Sequence, residues 1–153
     1  MFHIRLAGFG DRAAVEAVVQ AAYAPYIPRI GRKPGPMLED YAALIAGRHV
    51  RVLSDGSRIA GILVLIPDKH EMLLDNVAVL PDCQGQGFGR ALIAFAEDAA
   101  REQGLHTLRL YTNEAMTENI AFYERLGFVE THRAEEKGFK RVYMTKPLDA
   151  PRS

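Results

Sequence analysis

The chain begins with a short alternation of apolar and polar residues and then changes to helical spacing. Residues 2–6 (FHIRL) alternate with period two and predict a first strand. Asp11 then precedes RAAVEAVVQAAY, where Ala14, Val15, Val18, Val19 and Ala22 fall on one helical face. This predicts a helix over about 12–24 with Asp11 as N-cap. Residues 25–36 (PYIPRIGRKPGP) carry four prolines and two glycines, which predicts a break in any helix. A second helix fits 37–47, closed by Gly47. Three strand-like runs follow at 49–54, 58–66 and 71–80, with Asp55-Gly56 as a hairpin turn between the first two. A glycine-rich loop over 82–89 leads into a long helix, about 87–103, ended by Gly104. A strand at 107–112 and a helix at 117–126 come next, the helix capped by Thr117 and stopped by Gly127. Strands at 128–133 and 139–147 complete the order βααβββαβαββ. The hairpins require antiparallel pairing, and the central strand–helix–strand unit implies a parallel crossover. The expected fold is α/β (α+β), with a mixed, mostly antiparallel sheet flanked by helices in a single domain, 1–153.

The stretch richest in chemistry is Val77-Ala78-Val79-Leu80-Pro81-Asp82-Cys83-Gln84-Gly85-Gln86-Gly87-Phe88-Gly89-Arg90. A strand runs into three closely spaced glycines and an amphipathic helix starts at once. Glycines let the backbone approach a ligand closely and take unusual dihedrals. Free amides at a helix start attract anions, assisted by the helix dipole. A P-loop needs Lys-Ser/Thr after its last glycine, whereas Gly89 is followed by Arg90-Ala91. A dinucleotide fingerprint counted from Gly85 fails at Arg90. The pattern Gln/Arg-x-x-Gly-x-Gly/Ala is met by Gln84, Gly87 and Gly89.

With that loop, with the Val-x-Val-x-Pro run before it, and with Asn119-Ile120-Ala121-Phe122-Tyr123-Glu124-Arg125-Leu126-Gly127-Phe128 downstream, the chain resembles the GNAT superfamily of N-acetyltransferases. The likeness spans roughly residues 2–146. It implies the acyl-CoA N-acyltransferase fold, with a splayed parallel pair at strands four and five. It also implies acetyl-CoA as co-substrate, its pyrophosphate on Gln84, Gly85, Gln86, Gly87, Gly89 and Arg90. Backbone groups of Val77 and Val79 would pair with the pantetheine arm as an added strand does, and one N–H would face the thioester oxygen. Asn119 would lie against the same arm, one helical turn before Tyr123. Tyr123 matches the family tyrosine near the sulfur. Reference pKa values of about 10 for a phenol and about 8.5 for a thiol make full proton transfer uphill by roughly 2 kcal/mol. A hydrogen bond to the leaving thiolate therefore suffices.

The base that deprotonates the amine is less sharply marked. Asp75 and Asn76 sit on the strand where relatives often carry a carboxylate, and Asp75 shares its face with Glu71, Val77 and Val79. A solvated or ion-paired Asp75 is the competing reading. In such proteins the first two helices and their connection wall the acceptor. Here that segment offers Tyr23, Arg29, Met37, Asp40 and Tyr41. Arg29 suits an acceptor carboxylate or phosphate, and Asp40 an ammonium. Arg32 and Lys33 add charge of a kind common on solvent loops.

Composition narrows the class further. Lys plus Arg equals Asp plus Glu at 19 each, which argues against nucleic acid as a bulk partner. No apolar run reaches membrane-spanning length. Cys83 is the sole cysteine, so no internal disulfide forms and a cytoplasmic address is expected. Histidines at 3, 49, 70, 106 and 132 show no metal-ligand spacing, so no metal is expected. The expected activity is transfer of an acetyl group to a primary amine, by direct attack in a ternary complex. The expected acceptor is a small molecule bearing an anionic group. Two alternatives stay open: a protein or peptide N-acetyltransferase, and a non-catalytic sensor of acyl-CoA. Homodimers are common among relatives, and nothing in the chain demonstrates one.

Overall fold

The computed structural model describes residues 1–149. The elements run β1 (His3–Leu6), α1 (Arg12–Tyr23), α2 (Ile27–Ile30), α3 (Tyr41–Ala46), β2 (Val50–Ser54), β3 (Ile59–Pro67) and β4 (Met72–Val79). They continue as α4 (Phe88–Glu102), β5 (Thr107–Asn113), α5 (Thr117–Arg125), β6 (Val129–Glu136) and β7 (Phe139–Pro147). The strands hydrogen-bond in the order β1-β2-β3-β4-β5-β7-β6. The fold is thus mixed α/β, with a mostly antiparallel seven-stranded sheet, flanking helices and a parallel β4/β5 pair.

The order matches the expected one with a single insertion, the four-residue α2. Prolines were expected to exclude helix from 25–36. Instead Pro25, Pro28 and Pro36 each stand in the first turn of a short helical segment, at Ala24–Tyr26, Ile27–Ile30 and Gly35–Leu38. At that position the missing N–H costs nothing and the fixed φ favours helix. The expected 37–47 helix is correspondingly split. Its first residues belong to the Gly35–Leu38 turn, and α3 starts at Tyr41 behind Asp40, whose carboxylate accepts from Ala43 N at 3.1 Å. Two other expected caps act differently. Asp11 makes no side-chain cap to α1; it accepts from Gly8 N at 2.8 Å and pairs with Arg5 at 2.8 Å. Thr117 lies inside α5, and its hydroxyl donates to Glu118 at 2.8 Å.

The chain divides into two compact units. The first comprises Met1–Ile66 and Asp75–Phe95. In it, β1 pairs antiparallel with β2, and β2 with β3. Val15, Val18 and Val19 from the apolar stripe of α1 are buried, together with Val50, Val52, Ile62 and Val64 from β2 and β3. Gly61 on β3 sits in close packing: a Cβ there would come within 3.2 Å of both the Ala78 carbonyl and Leu92. The second unit comprises Pro67–Leu74 and the chain from Ala96 onward. Here β5 and β7 pair antiparallel through Tyr111–Tyr143, β6 pairs with β7, and the start of β4 runs parallel to β5 through Met72–Leu108. Leu108, Leu110, Val142 and Met144 form its apolar centre. Lys146 and Glu97 pair at 2.9 Å on its surface.

Candidate active site

In the first unit the site is organised by the end of β4. Side chains alternate there, so Asn76 and Ala78 are buried while Asp75, Val77 and Val79 lie half-buried on the other face. This is the face sharing expected for Asp75 with the two valines. The Leu80 N–H donates to Ala60 O on β3 at 2.8 Å. The Tyr23 hydroxyl lies 3.2 Å from Val77 O, and Gln84 Nε2 donates to Val79 O at 3.4 Å.

After β4 the chain makes a 3₁₀ turn at Pro81–Cys83 and enters the glycine loop. Gln84 through Gly87 are exposed, held between the buried Cys83 and Phe88. Gly85 and Gly87 take φ of +86° and +83°, which a side chain disfavours. Beyond the adjoining residues, no protein atom lies within 4 Å of where a Cβ would sit on either, so the loop is open to a bulky anion. Gly87 O accepts from Ala91 N at 3.0 Å, which opens α4. The amides of Phe88, Gly89 and Arg90 then fall in the first turn, where no intrahelical acceptor exists. A diphosphate fits this arrangement of exposed donors. The loop is braced from the residue that precedes β3: Arg58 donates to Asp82 at 2.9 Å and to Cys83 Sγ at 3.2 Å.

A buried polar cluster joins α1, α3 and β4. Asn76 is 5% exposed. Tyr23 OH donates to Asn76 Oδ1 at 2.6 Å, and Asn76 Nδ2 donates to Tyr41 OH at 3.1 Å. Tyr41 OH in turn donates to Pro36 O at 2.5 Å. Burial pushes the Tyr41 phenol far above its ordinary value, and the Asn76 hydrogen bond offsets this only in part. Burial thus favours the neutral phenol, which donates to Pro36 O.

The remaining acceptor-side candidates divide by exposure. Arg29 is exposed with its guanidinium 5.2 Å from the Tyr26 ring centroid, and Met37 is half-buried. Asp40 is exposed and engaged as the α3 cap. Arg32 and Lys33 are exposed.

In the second unit, α5 presents Asn119 and Tyr123. Tyr123 is buried between Phe122 and Phe128, with ring centroids 5.5 and 5.6 Å away. Asn119 Nδ2 donates to Met116 Sδ at 3.6 Å, and Thr112 Oγ1 reaches the same sulfur at 3.5 Å. Two residues of weight, Asn76 and Arg58, carry no motif in the sequence that marks their role. The strand parity that buried Asn76 was available, but its partners lie 35 and 53 residues away in sequence. Among the described residues, no group of three or more His, Cys, Asp or Glu is placed to hold a metal.

Comparison with known proteins fits this geometry. Residues 15–128 match the model of the acetyltransferase (GNAT) family, and the chain belongs to that family. Among curated proteins it is 37% identical over 78 residues to the ribosomal protein bS18-alanine N-acetyltransferase of Escherichia coli (strain K12). That match covers 51% of this chain and 53% of the relative, so the chain spans about half the length of the curated relatives it matches. The crystal structure of the ribosomal-protein-S18-alanine N-acetyltransferase from Escherichia coli superposes with a TM-score of 0.79 at 25% identity, covering 100% of this chain and 97% of that one. The PaiA N-acetyltransferase of Thermoplasma acidophilum, solved with coenzyme A, shares the fold with a TM-score of 0.79 at 16% identity, covering 96% and 99%.

Proposed function

We propose that this protein is an acetyl-CoA-dependent N-acetyltransferase that acts on a primary amine by direct attack in a ternary complex. The observation that carries this is the exposed Gln84–Gly87 loop, with Gly85 and Gly87 at positive φ, opening directly into α4. The diphosphate of the donor takes the loop amides and those of Gly89 and Arg90. Backbone groups of Val77 and Val79 pair with the pantetheine arm, displacing Gln84 from the Val79 carbonyl. Asn119 lies along the arm, and Tyr123 hydrogen-bonds the leaving thiolate. Asp75 takes the proton from the incoming ammonium. The chain acts as one catalytic domain, and its single buried cysteine suits a cytoplasmic setting.

For the acceptor, we favour a small amine carrying a carboxylate or phosphate. The 24–38 segment is stiffened by three short helical turns and displays an exposed Arg29. Arg pairs with such anions bidentately. A second reading, a peptide amine as acceptor, draws on the likeness to the enzyme named for an alanine of a ribosomal protein. A panel of small amines, with and without an anionic group, and of peptides with free N-termini distinguishes the two by free thiol released. Preference for anionic small amines, reduced by Arg29→Ala, supports the first reading. Release with peptides alone supports the second.

A further inference from the structure

We infer that Asn76 is a positioning residue for acceptor binding, fixing the Tyr23 hydroxyl at the Val77 carbonyl and anchoring the Pro36–Tyr41 turn to β4. The inference rests on the proposed transferase reading and deepens it. Among the described residues, Asn76 and Thr112 are the buried polar ones, and Asn76 is 95% removed from solvent. A buried amide is costly unless paired, so its presence in an otherwise apolar face needs a reason.

Tyr41 has one hydroxyl proton, and Pro36 O at 2.5 Å takes it. The Tyr41 oxygen can then only accept from Asn76, which places Nδ2 toward Tyr41 and Oδ1 toward Tyr23. Oδ1 accepts from Tyr23 OH at 2.6 Å, and that hydroxyl also lies 3.2 Å from Val77 O. The Asn76 amide supplies a donor on one side and an acceptor on the other at this spot. Through it, one strand residue sets the end of α1, the start of α3 and the turn between them. It also sets a hydroxyl against a carbonyl of the β4 edge assigned to the donor arm. Asn76 touches neither substrate; it acts through Tyr23 and Tyr41.

The test uses Asn76→Asp assayed at alkaline pH, where the ionised carboxylate keeps the shape but puts an acceptor where Tyr41 needs a donor, and the pair Asn76→Leu/Tyr41→Phe, which removes both polar groups together. Replacing both partners by apolar groups limits the stability loss. For each, thermal stability, calorimetric acetyl-CoA affinity, acceptor KM and kcat are measured. The expected result for Asn76→Asp is an acceptor KM raised about tenfold or more, with donor affinity within about threefold. The apolar pair should melt closer to wild type than Asn76→Asp does, yet keep the raised acceptor KM. Recovery of both melting temperature and KM in the pair would reduce Asn76 to a packing role and overturn the inference. An unmoved acceptor KM in Asn76→Asp, with wild-type donor binding and turnover intact, would overturn it alone. A wild-type protein that binds no acetyl-CoA would overturn the transferase reading, and this inference with it.

Discussion

Arg58 Nη2 donates to Asp82 Oδ2 at 2.9 Å, across 24 positions of sequence, and so ties the start of β3 to the turn that launches the glycine loop. Both side chains are half or more exposed, so the pair adds little to global stability. Its effect should appear locally instead. Arg58→Gln is expected to leave the melting temperature nearly unchanged and to weaken acetyl-CoA binding by about two- to fivefold, read by calorimetry. An unchanged affinity would show that the loop holds its shape without the brace.

Gly87 makes a sharper demand. Its φ of +83° disfavours any side chain, so Gly87→Ala should lose about 1–2 kcal/mol in strain at the loop. Gly87→Glu adds bulk and a negative charge where the donor's diphosphate is assigned, and should abolish donor binding in a protein that still folds. Circular dichroism confirms the fold and calorimetry reads the binding. Normal affinity in folded Gly87→Glu would remove the loop from the donor site.

Tyr123→Phe keeps the ring between Phe122 and Phe128 and deletes only the hydroxyl. If that hydroxyl steadies the leaving thiolate, kcat should fall by about ten- to a hundredfold while donor affinity stays within about twofold. Steady-state kinetics with calorimetry separates the two. Equal loss of affinity and turnover would point to a binding role instead.

The Asp55-Gly56 turn between β2 and β3 gives a pH prediction. Asp55 accepts from Ser57 N, Ser57 Oγ and Arg58 N at 2.9, 2.9 and 3.0 Å. The backbone hydrogen bonds, that from Ser57 first, lower its carboxyl from 3.8 to about 2. A depressed carboxylate contributes stability that is present above its unfolded pKa and lost as pH falls through the folded one. The turn should therefore hold at pH 4 and loosen toward about pH 2. Carbon-detected titration of Asp55 checks the midpoint, and a value near 4 would contradict the hydrogen-bonded turn.

Much of the fold was legible because periodicity reports burial. The Val15-Val18-Val19 stripe and the alternation along β4 needed only local spacing, and both follow the expected faces. Prolines misled because the same residue ends one helix and begins another: Pro25, Pro28 and Pro36 start turns where a break was expected. Asp11 and Thr117 are good caps by type, but Arg5 and Glu118 offered them other partners. The glycine loop was readable because its chemistry lies in one short stretch. The Tyr23–Asn76–Tyr41 cluster was not, since three segments far apart in sequence assemble it and no local pattern marks which polar residue is buried.

Titration of the wild-type protein with acetyl-CoA in a calorimeter, followed by thiol release across the amine panel, is the most direct test of the transferase reading. Saturable binding that Gly87→Glu abolishes, with free thiol released by one class of amine, is the predicted result. Absence of acetyl-CoA binding by folded wild-type protein would contradict it.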